Sequence, residues 1–164
     1  MRKHTTCRGW YADRRERKTS VYVLALLVAG LCFYPGAVPA QSTTCSATTA
    51  GVSFGTYDPF ASAPLDSTGS VSVTCSANTS YTIALSAGQG SFASRTMSSG
   101  AHLLAYNLYT DTLRTTVWGD GSGSTTTVPG SGTSAAYSVY GRVPALQNAY
   151  VGAYADSIII TVSF

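Results

Sequence analysis

The chain has 164 residues with ten basic and seven acidic side chains, a formal net charge of +3, but these charges are unevenly distributed. Seven of the ten basic residues and two of the seven acidic residues precede Gln41, so residues 41–164 carry three arginines and five aspartates, which sum to −2. This later part has no lysine and no glutamate, which excludes the broad basic surface that nucleic-acid binding requires.

The first forty residues have the organisation of a secretory signal peptide. Basic residues come first, an apolar run follows at residues 21–33, and small residues close the segment before Gln41. The apolar run is short for a bilayer span, so the pattern predicts cleavage after Ala40, with an uncleaved anchor as the alternative. Residues 41–164 then form a single exported domain that is large enough for its own core.

Two cysteines remain in this exported domain, Cys45 and Cys75. An even pair in a secreted domain predicts one disulfide, whereas two free thiols would be unusual in an oxidising compartment. A metal site is not expected, because only His102 could add a nitrogen ligand to the two sulfurs. No cofactor is expected either.

Residues 41–164 show period-two alternation separated by turn residues, which predicts short strands and no helix. Predicted strands or short alternating pieces lie at residues 52–54, 71–75, 81–85, 104–108, 115–118, 125–128, 136–142 and 157–164. Predicted turns and loops lie at residues 57–59, 61–69, 78–79, 88–91, 119–123 and 129–132. Many short strands at such intervals predict an all-β sandwich or barrel. Because both cysteines lie on the first two strands, an antibody-type disulfide between sheets is excluded.

The last predicted strand is the most regular one. Ile158, Ile160, Val162 and Phe164 fall on one face, whereas Ile159 is the apolar exception on the other. No residue follows Phe164 that could form a hairpin with this strand. At a sheet edge, such a segment would invite pairing with another chain. The sequence therefore predicts a sandwich with an opening beside this strand.

The residues do not predict an enzyme. His102 is the only imidazole in residues 41–164, and no G-x-S-x-G pattern frames a serine. The glycine-rich run at residues 119–123 has no following helix and no series of carboxylates, so it is interpreted as a turn. Trp118 and Asp120 could contact a glycan or another surface, although core packing explains Trp118 equally well.

Several motifs, taken together and in order, resemble the spore coat protein U domain family. They are Cys45, V-x-F-G-x-Y-D-P at residues 52–59, G-x-V-x-V-x-C at 69–75, Y-x-I-x-L-x-x-G at 81–88, R-x-M at 95–97, L-x-Y-x-L-Y at 104–109, V-W-G-D-G at 117–121, Y-G-R-V-P at 140–144 and G-x-Y-x-D at 152–156. The resemblance covers essentially all of residues 41–164. That family includes secreted pilin subunits of archaic chaperone–usher pili.

The resemblance implies an immunoglobulin-like sandwich that lacks its last strand and is completed by donor-strand complementation. A periplasmic chaperone would lend the strand first, and a neighbouring pilin subunit would then replace it at an outer-membrane usher, giving a pilus on the cell surface. Ile158, Ile160, Val162 and Phe164 would line the groove for the incoming strand. The terminal carboxylate would bind a basic cleft of the chaperone.

Cleavage after Ala40 leaves only residues 41–44 before Cys45. A donated strand needs a longer alternating segment, so we expect a subunit that accepts a strand without giving one, such as a tip or minor subunit. At a tip, the loops at residues 119–123 or 129–133 would contact surfaces. The alternatives are a secreted module that binds carbohydrate or an abiotic surface, and an outer coat structural protein.

Overall fold

The computed structural model describes residues 42–164, so the predicted signal peptide at residues 1–40 lies outside the described residues. Within this range the chain forms β-strands and no helix, and it therefore contains no helical segment able to cross a bilayer. The strands are β1 (Cys45–Ala50), β2 (Leu65–Leu85), β3 (Arg95–Ser99), β4 (His102–Tyr109), β5 (Val128–Val143) and β6 (Ile160–Ser163).

The strands form one curled antiparallel sheet, ordered β1-β2-β5-β4-β3, with β6 also paired to β2. β5 pairs along one edge of β2, from Leu65 opposite Val143 to Ile83 opposite Val128. β1 and β6 share the other edge of β2, where they pair with residues 70–75 and 82–85. At the far end of the sheet, Ser98 of β3 pairs with Ala155, upstream of β6. The C-terminal segment thus reaches both ends of the curled sheet.

The core lies inside this curl and is built by alternate residues of the strands, as the period-two pattern predicts. On β2, Val71, Val73 and Ile83 are at most 1% exposed, while the alternate residues Ser72, Thr74 and Thr82 are more exposed. The other buried apolar residues are Cys75, Tyr81, Leu85, Met97, Leu104, Tyr106, Leu108, Trp118, Val139 and Val143. The all-β prediction is confirmed, and β5 ends at Val143, directly before Pro144.

Two predicted turns are wrong because long strands pass through them. The turn at residues 78–79 is a bulge within β2, where residues 75–78 stand opposite the single residue Thr133 of β5. The turn at residues 129–132 lies within β5 and pairs with residues 79–82. Gly130 serves there as a contact point, since a Cβ would overlap the Tyr81 ring and the Tyr137 hydroxyl. Asn78 thus marks a bulge and Gly130 a close approach, and neither marks a chain reversal.

The remaining differences concern strand boundaries and the segments that form strands, since the ranges of β1 and β3 were not among the predicted strands. β2 begins at Leu65, inside the predicted loop at residues 61–69, and residues 52–54 form no strand. The predicted strands at residues 115–118 and 125–128 contribute isolated bridges, Tyr109 to Val117 and Trp118 to Thr126, and only Val128 belongs to a strand. The last strand is shorter than predicted, because only Ile160–Ser163 pair regularly.

Candidate functional site

An open groove of about 890 Å³ lies between the segment that follows β1 and the segment that precedes β6. Residues 49–57 form one wall, the N-terminal wall, and residues 149–156 with Ile158 and Ile160 form the other, the C-terminal wall. The floor consists of core side chains from four strands, namely Val71, Met97, Leu104, Tyr106, Leu108, Val139 and Val143. Apart from the Tyr106 hydroxyl, this floor offers no hydrogen-bonding side chain, so it fits an apolar occupant.

The N-terminal wall is held at its start by the predicted disulfide, which the structure confirms. Cys45 and Cys75 stand directly opposite each other on β1 and β2, with Cα atoms 4.1 Å apart. Past β1, the side chains of Val52 and Phe54 pack over Gly141, where a Cβ would collide with both. The Phe54 ring meets the Tyr106 ring edge-on, with centroids 5.9 Å apart. This wall therefore rests on the core without being a regular strand.

The same wall is anchored at its far end by Tyr57. Its hydroxyl donates to the Pro144 carbonyl at 3.0 Å and accepts from the Gln147 backbone N–H at 2.8 Å. The Gln147 side chain in turn pairs with Ala105 of β4, accepting from its N–H at 2.8 Å and donating to its carbonyl at 2.9 Å. The Gln147 side-chain amide thus provides hydrogen-bond partners for the Ala105 backbone, in the part of β4 that does not pair with β5.

The C-terminal wall changes partner along its length. Ala155 exchanges backbone hydrogen bonds of 2.9 and 3.1 Å with Ser98 of β3. Four residues later, the Ile159 carbonyl accepts from the Ser86 N–H at 2.9 Å, and β6 then pairs with β2. Among the residues that the structure describes, no strand pairs with the other edge of β6. This edge can therefore accept a further strand.

The four residues predicted for the groove do not all lie there. Ile158 and Ile160 line it, and Val162 is half-buried against the core, while Ile159 is 69% exposed on the opposite face. Phe164 departs from the prediction, since it is 58% exposed and lies in a separate shallow depression next to Ser80 and Pro129. The alternation is thus correct up to Val162, and only the final residue turns away from the core.

The proposed surface role of Trp118 is wrong. Its side chain is fully buried, and its indole N–H donates to the Ile83 carbonyl at 3.0 Å. Asp120 is exposed, and its carboxylate accepts from the Ser122 hydroxyl at 2.6 Å and the Ser122 N–H at 2.9 Å. These hydrogen bonds lower the pKa of Asp120. The turn is therefore internally satisfied, and the aromatic group that a glycan would stack on is missing from its surface.

Arg95 is a central residue that the sequence did not single out as a site. Its guanidinium is fully buried and donates to the Ser86 carbonyl at 2.9 and 3.1 Å, to the Trp118 carbonyl at 2.7 Å and to Asn107 Oδ1 at 2.6 Å. The Phe92 ring lies 5.4 Å from its central carbon. Desolvation lowers the pKa of Arg95. The R-x-M motif at residues 95–97 was the available signal, because in a strand this spacing places Arg95 on the same face as Met97.

The other two arginines of the described range are also engaged. Arg142 forms a bidentate pair with Asp66, at 2.7 and 2.8 Å, and Arg114 lies 3.2 Å from the same carboxylate. The hydrogen bond from Arg142 is the main cause that lowers the pKa of Asp66. No group of three or more metal-ligating side chains occurs in residues 42–164, and His102 stacks on Tyr150 with ring centroids 4.0 Å apart.

The fold defines the class of protein, an incomplete immunoglobulin-like β fold whose sheet curls around one core and is open at the groove. Its fold is similar to one chain of the crystal structure of the CsuC–CsuE chaperone–tip adhesion subunit pre-assembly complex from archaic chaperone–usher Csu pili of Acinetobacter baumannii. The TM-score is 0.52 at 23% identity, and the match covers 75% of the present chain and 40% of that chain.

The sequence comparison identifies the family. The Spore Coat Protein U domain model matches residues 33–161. Protein U of Myxococcus xanthus is 36% identical over 127 residues, which cover 69% of the present chain and 71% of Protein U. The chain belongs to the Spore Coat Protein U domain family, a structural and not an enzymatic family.

Proposed function

We propose that this protein is a structural or adhesive subunit of a chaperone–usher pilus, completed by a strand from another polypeptide. The open groove carries this proposal, because its apolar floor and the unpaired edge of β6 lie together. An extended peptide there would gain backbone hydrogen bonds from that edge and apolar contacts from alternate side chains. The fold similarity to a chain of a chaperone–subunit complex supports the same reading.

This function implies three partners. A periplasmic chaperone would fill the groove during export, an outer-membrane usher would direct assembly, and neighbouring subunits would supply the final strand. The protein would then lie on the cell surface, reached through the periplasm. The predicted signal peptide at residues 1–40 provides the route into that compartment.

A tip or minor position follows if cleavage occurs after Ala40. Only residues 41–44 would then precede β1, too few for a strand that fills a neighbour's groove. The mass of the secreted protein measures this directly. Cleavage well upstream of Ala40 would restore a donor segment and overturn the tip assignment, while leaving the strand-accepting role intact.

The first prediction concerns self-association. The secreted chain purified alone should be oligomeric, because the groove floor and the edge of β6 are open to other copies. A labelled peptide of alternating threonine and valine, about ten residues long, should convert it to a monomeric complex. Light scattering after gel filtration measures both states. A wild-type chain that is monomeric alone and does not bind this peptide would overturn the proposed function.

The second prediction uses two neighbouring isoleucines of the C-terminal wall. Ile158→Asp places a carboxylate in the groove and should weaken binding of the threonine–valine peptide more than about tenfold, because an unpaired buried charge is costly. Ile159→Asp is the matched control, since that side chain is 69% exposed on the other face. Fluorescence anisotropy gives both affinities. Equal affinities in the two variants would contradict a strand-binding groove.

An outer coat structural protein is the second candidate, favoured by the family's description. Fold and groove are the same in both cases, so location distinguishes them. Immunogold labelling of intact cells should mark thin fibres if the protein is a pilus subunit. Uniform labelling of an envelope layer, with no fibres, would favour the coat.

A further inference from the structure

The carboxylate of Asp156 joins three separate parts of the domain. Its Oδ2 accepts a hydrogen bond from the Tyr106 hydroxyl at 2.7 Å. Its Oδ1 accepts from the Gln89 N–H at 3.1 Å and from the Ser157 N–H at 2.7 Å. β4, the loop after β2 and the C-terminal wall therefore meet at one side chain. Hydrogen bonds to an ionised acceptor are the stronger ones in proteins.

Asp156 occupies the point at which the C-terminal wall changes its sheet partner. The preceding residue, Ala155, pairs with β3, whereas Ile159 and β6 pair with β2 or the loop that follows it. Between these two anchors, the Asp156 side chain hydrogen-bonds the wall to the body of the domain, and the Ile158 side chain packs against the core. Asp156 lies two residues before Ile158, which lines the groove, whereas Ile160 is held by its pairing with Leu85 of β2.

Gly88 provides an independent sign that this carboxylate is built into the fold. Its φ is +62°, and a Cβ on it would overlap Oδ2 of Asp156. The missing side chain of Gly88 is therefore the space that the carboxylate fills. Gly100 has nearly the same φ, +59°, but a Cβ there would meet no atom within 4 Å. Both glycines have a positive φ, but only at Gly88 would a Cβ collide with a neighbouring side chain.

Tyr106 links this contact to the groove floor. Its ring lies in the floor beside Phe54, while its hydroxyl donates to Asp156 at the wall. Burial and this hydrogen bond raise the pKa of Tyr106, so the hydroxyl remains a donor. The Tyr106 hydroxyl thus has its hydrogen-bond partner in the C-terminal wall. An incoming strand would therefore contact the apolar ring of Tyr106.

We propose that Asp156 is the positioning residue of the strand-accepting groove, which it controls by tying the C-terminal wall to Tyr106 and to the Gly88–Gln89 loop. This inference rests on the proposed function. It assigns to Asp156 a role in how long a donor strand stays bound, beyond any contribution to folding.

The test measures dissociation of the threonine–valine peptide from preformed complexes of the full secreted chain. Asp156→Ala and Gly88→Ala should each accelerate dissociation about tenfold or more, the effect expected when a charge-assisted hydrogen bond is lost. Gly100→Ala controls for backbone strain, and Asp120→Asn controls for removal of a carboxylate. Both controls should dissociate at the wild-type rate. Equal acceleration in either control would overturn the inference.

Tyr106→Phe is the mild variant, because it removes only the hydroxyl and keeps the ring in the floor. It should accelerate dissociation, and the double variant with Asp156→Ala should be no faster than Asp156→Ala alone, since both act through one contact. Additive effects, or a wild-type rate in Tyr106→Phe, would overturn the inference. Peptide binding by the wild type would still uphold the proposed function, so the two failures are distinguishable.

Discussion

At the scale of single residues, the buried guanidinium of Arg95 makes a clear prediction. Arg95→Lys should destabilise the domain by about 1–3 kcal/mol, because an ammonium cannot reach the Ser86, Trp118 and Asn107 acceptors together and would leave buried oxygens unpaired. Urea unfolding at a fixed peptide concentration measures this, since bound peptide adds to the apparent stability.

Arg142→Lys is the matched control for this substitution. Arg142 is partly exposed and pairs with Asp66 at the surface, so the same change should cost at most about 1 kcal/mol. A larger loss for Arg142→Lys than for Arg95→Lys would contradict the importance of the buried network.

Single-residue environments were the least predictable feature. Alternation correctly placed Ile158 and Ile160 on the inner face and Ile159 on the outer one. It could not show that Trp118 is buried, because that residue lies beside a glycine-rich turn and its burial follows from backbone contacts to Leu108 and Thr126. Whether such a side chain is buried depends on pairing between residues that are distant in the sequence, and a short sequence window does not show that pairing.

At the scale of elements, the disulfide should matter most to β1. Every β1 residue after Cys45 is exposed, so apolar burial contributes little to holding this strand. Replacing both cysteines with serine removes a crosslink with a sequence separation of 30 and should lower stability by about 3.5 kcal/mol in the chain-entropy model. The loss should appear first as faster hydrogen exchange in β1.

Hydrogen exchange also provides the control for that prediction. Amides of β5 that pair with β2 lie inside the sheet and should keep their protection relative to β1 in the serine variant. Uniform loss of protection across β1 and β5 would show instead that the crosslink stabilises the whole domain and not one strand.

The type of element was predicted better than the number and extent of the strands, since eight strand segments were predicted and the structure has six strands in residues 42–164. The inner faces of β2, β4 and β5 follow from the alternation of apolar residues, and the absence of helix in the described range agrees with the same pattern. Residues 78–79 and 129–132 were taken as turns because Asn, Pro and Gly usually end strands. In the structure, residues 78–79 lie at a bulge of β2, and Gly130 lies where the backbone packs closely against Tyr81. Sequence spacing alone cannot distinguish these features from turns.

At the scale of the whole molecule, surface carboxylates should govern stability in acid. Hydrogen bonds from Arg142, from the Thr115 and Thr116 backbone, and from Ser122 lower the pKa values of Asp66, Asp111 and Asp120 below 3.8. A lowered folded-state pKa contributes stability that is present above the unfolded value and is lost as pH falls through the folded one. The urea concentration at the midpoint of unfolding should therefore decrease when the pH is lowered below about 4.

Asp111→Asn isolates one part of this acid sensitivity. The Asp111 carboxylate accepts from Thr115 and Thr116 and closes the turn that carries Arg114 at a φ of +58°. The variant should be less stable than the wild type at pH 6, and the difference should shrink towards pH 2, because the falling pH protonates the wild-type carboxylate and removes its charge. A difference that stays constant between these pH values would contradict the assignment.

Every arginine in residues 42–164 is either buried or paired with a carboxylate, and this has a consequence for proteolysis. Trypsin-like proteases cut after lysine or arginine, and this range offers no lysine, one arginine in the core and two held against Asp66. Cleavage requires an accessible, extended backbone, which local opening would have to supply. Such enzymes should therefore leave the folded domain intact.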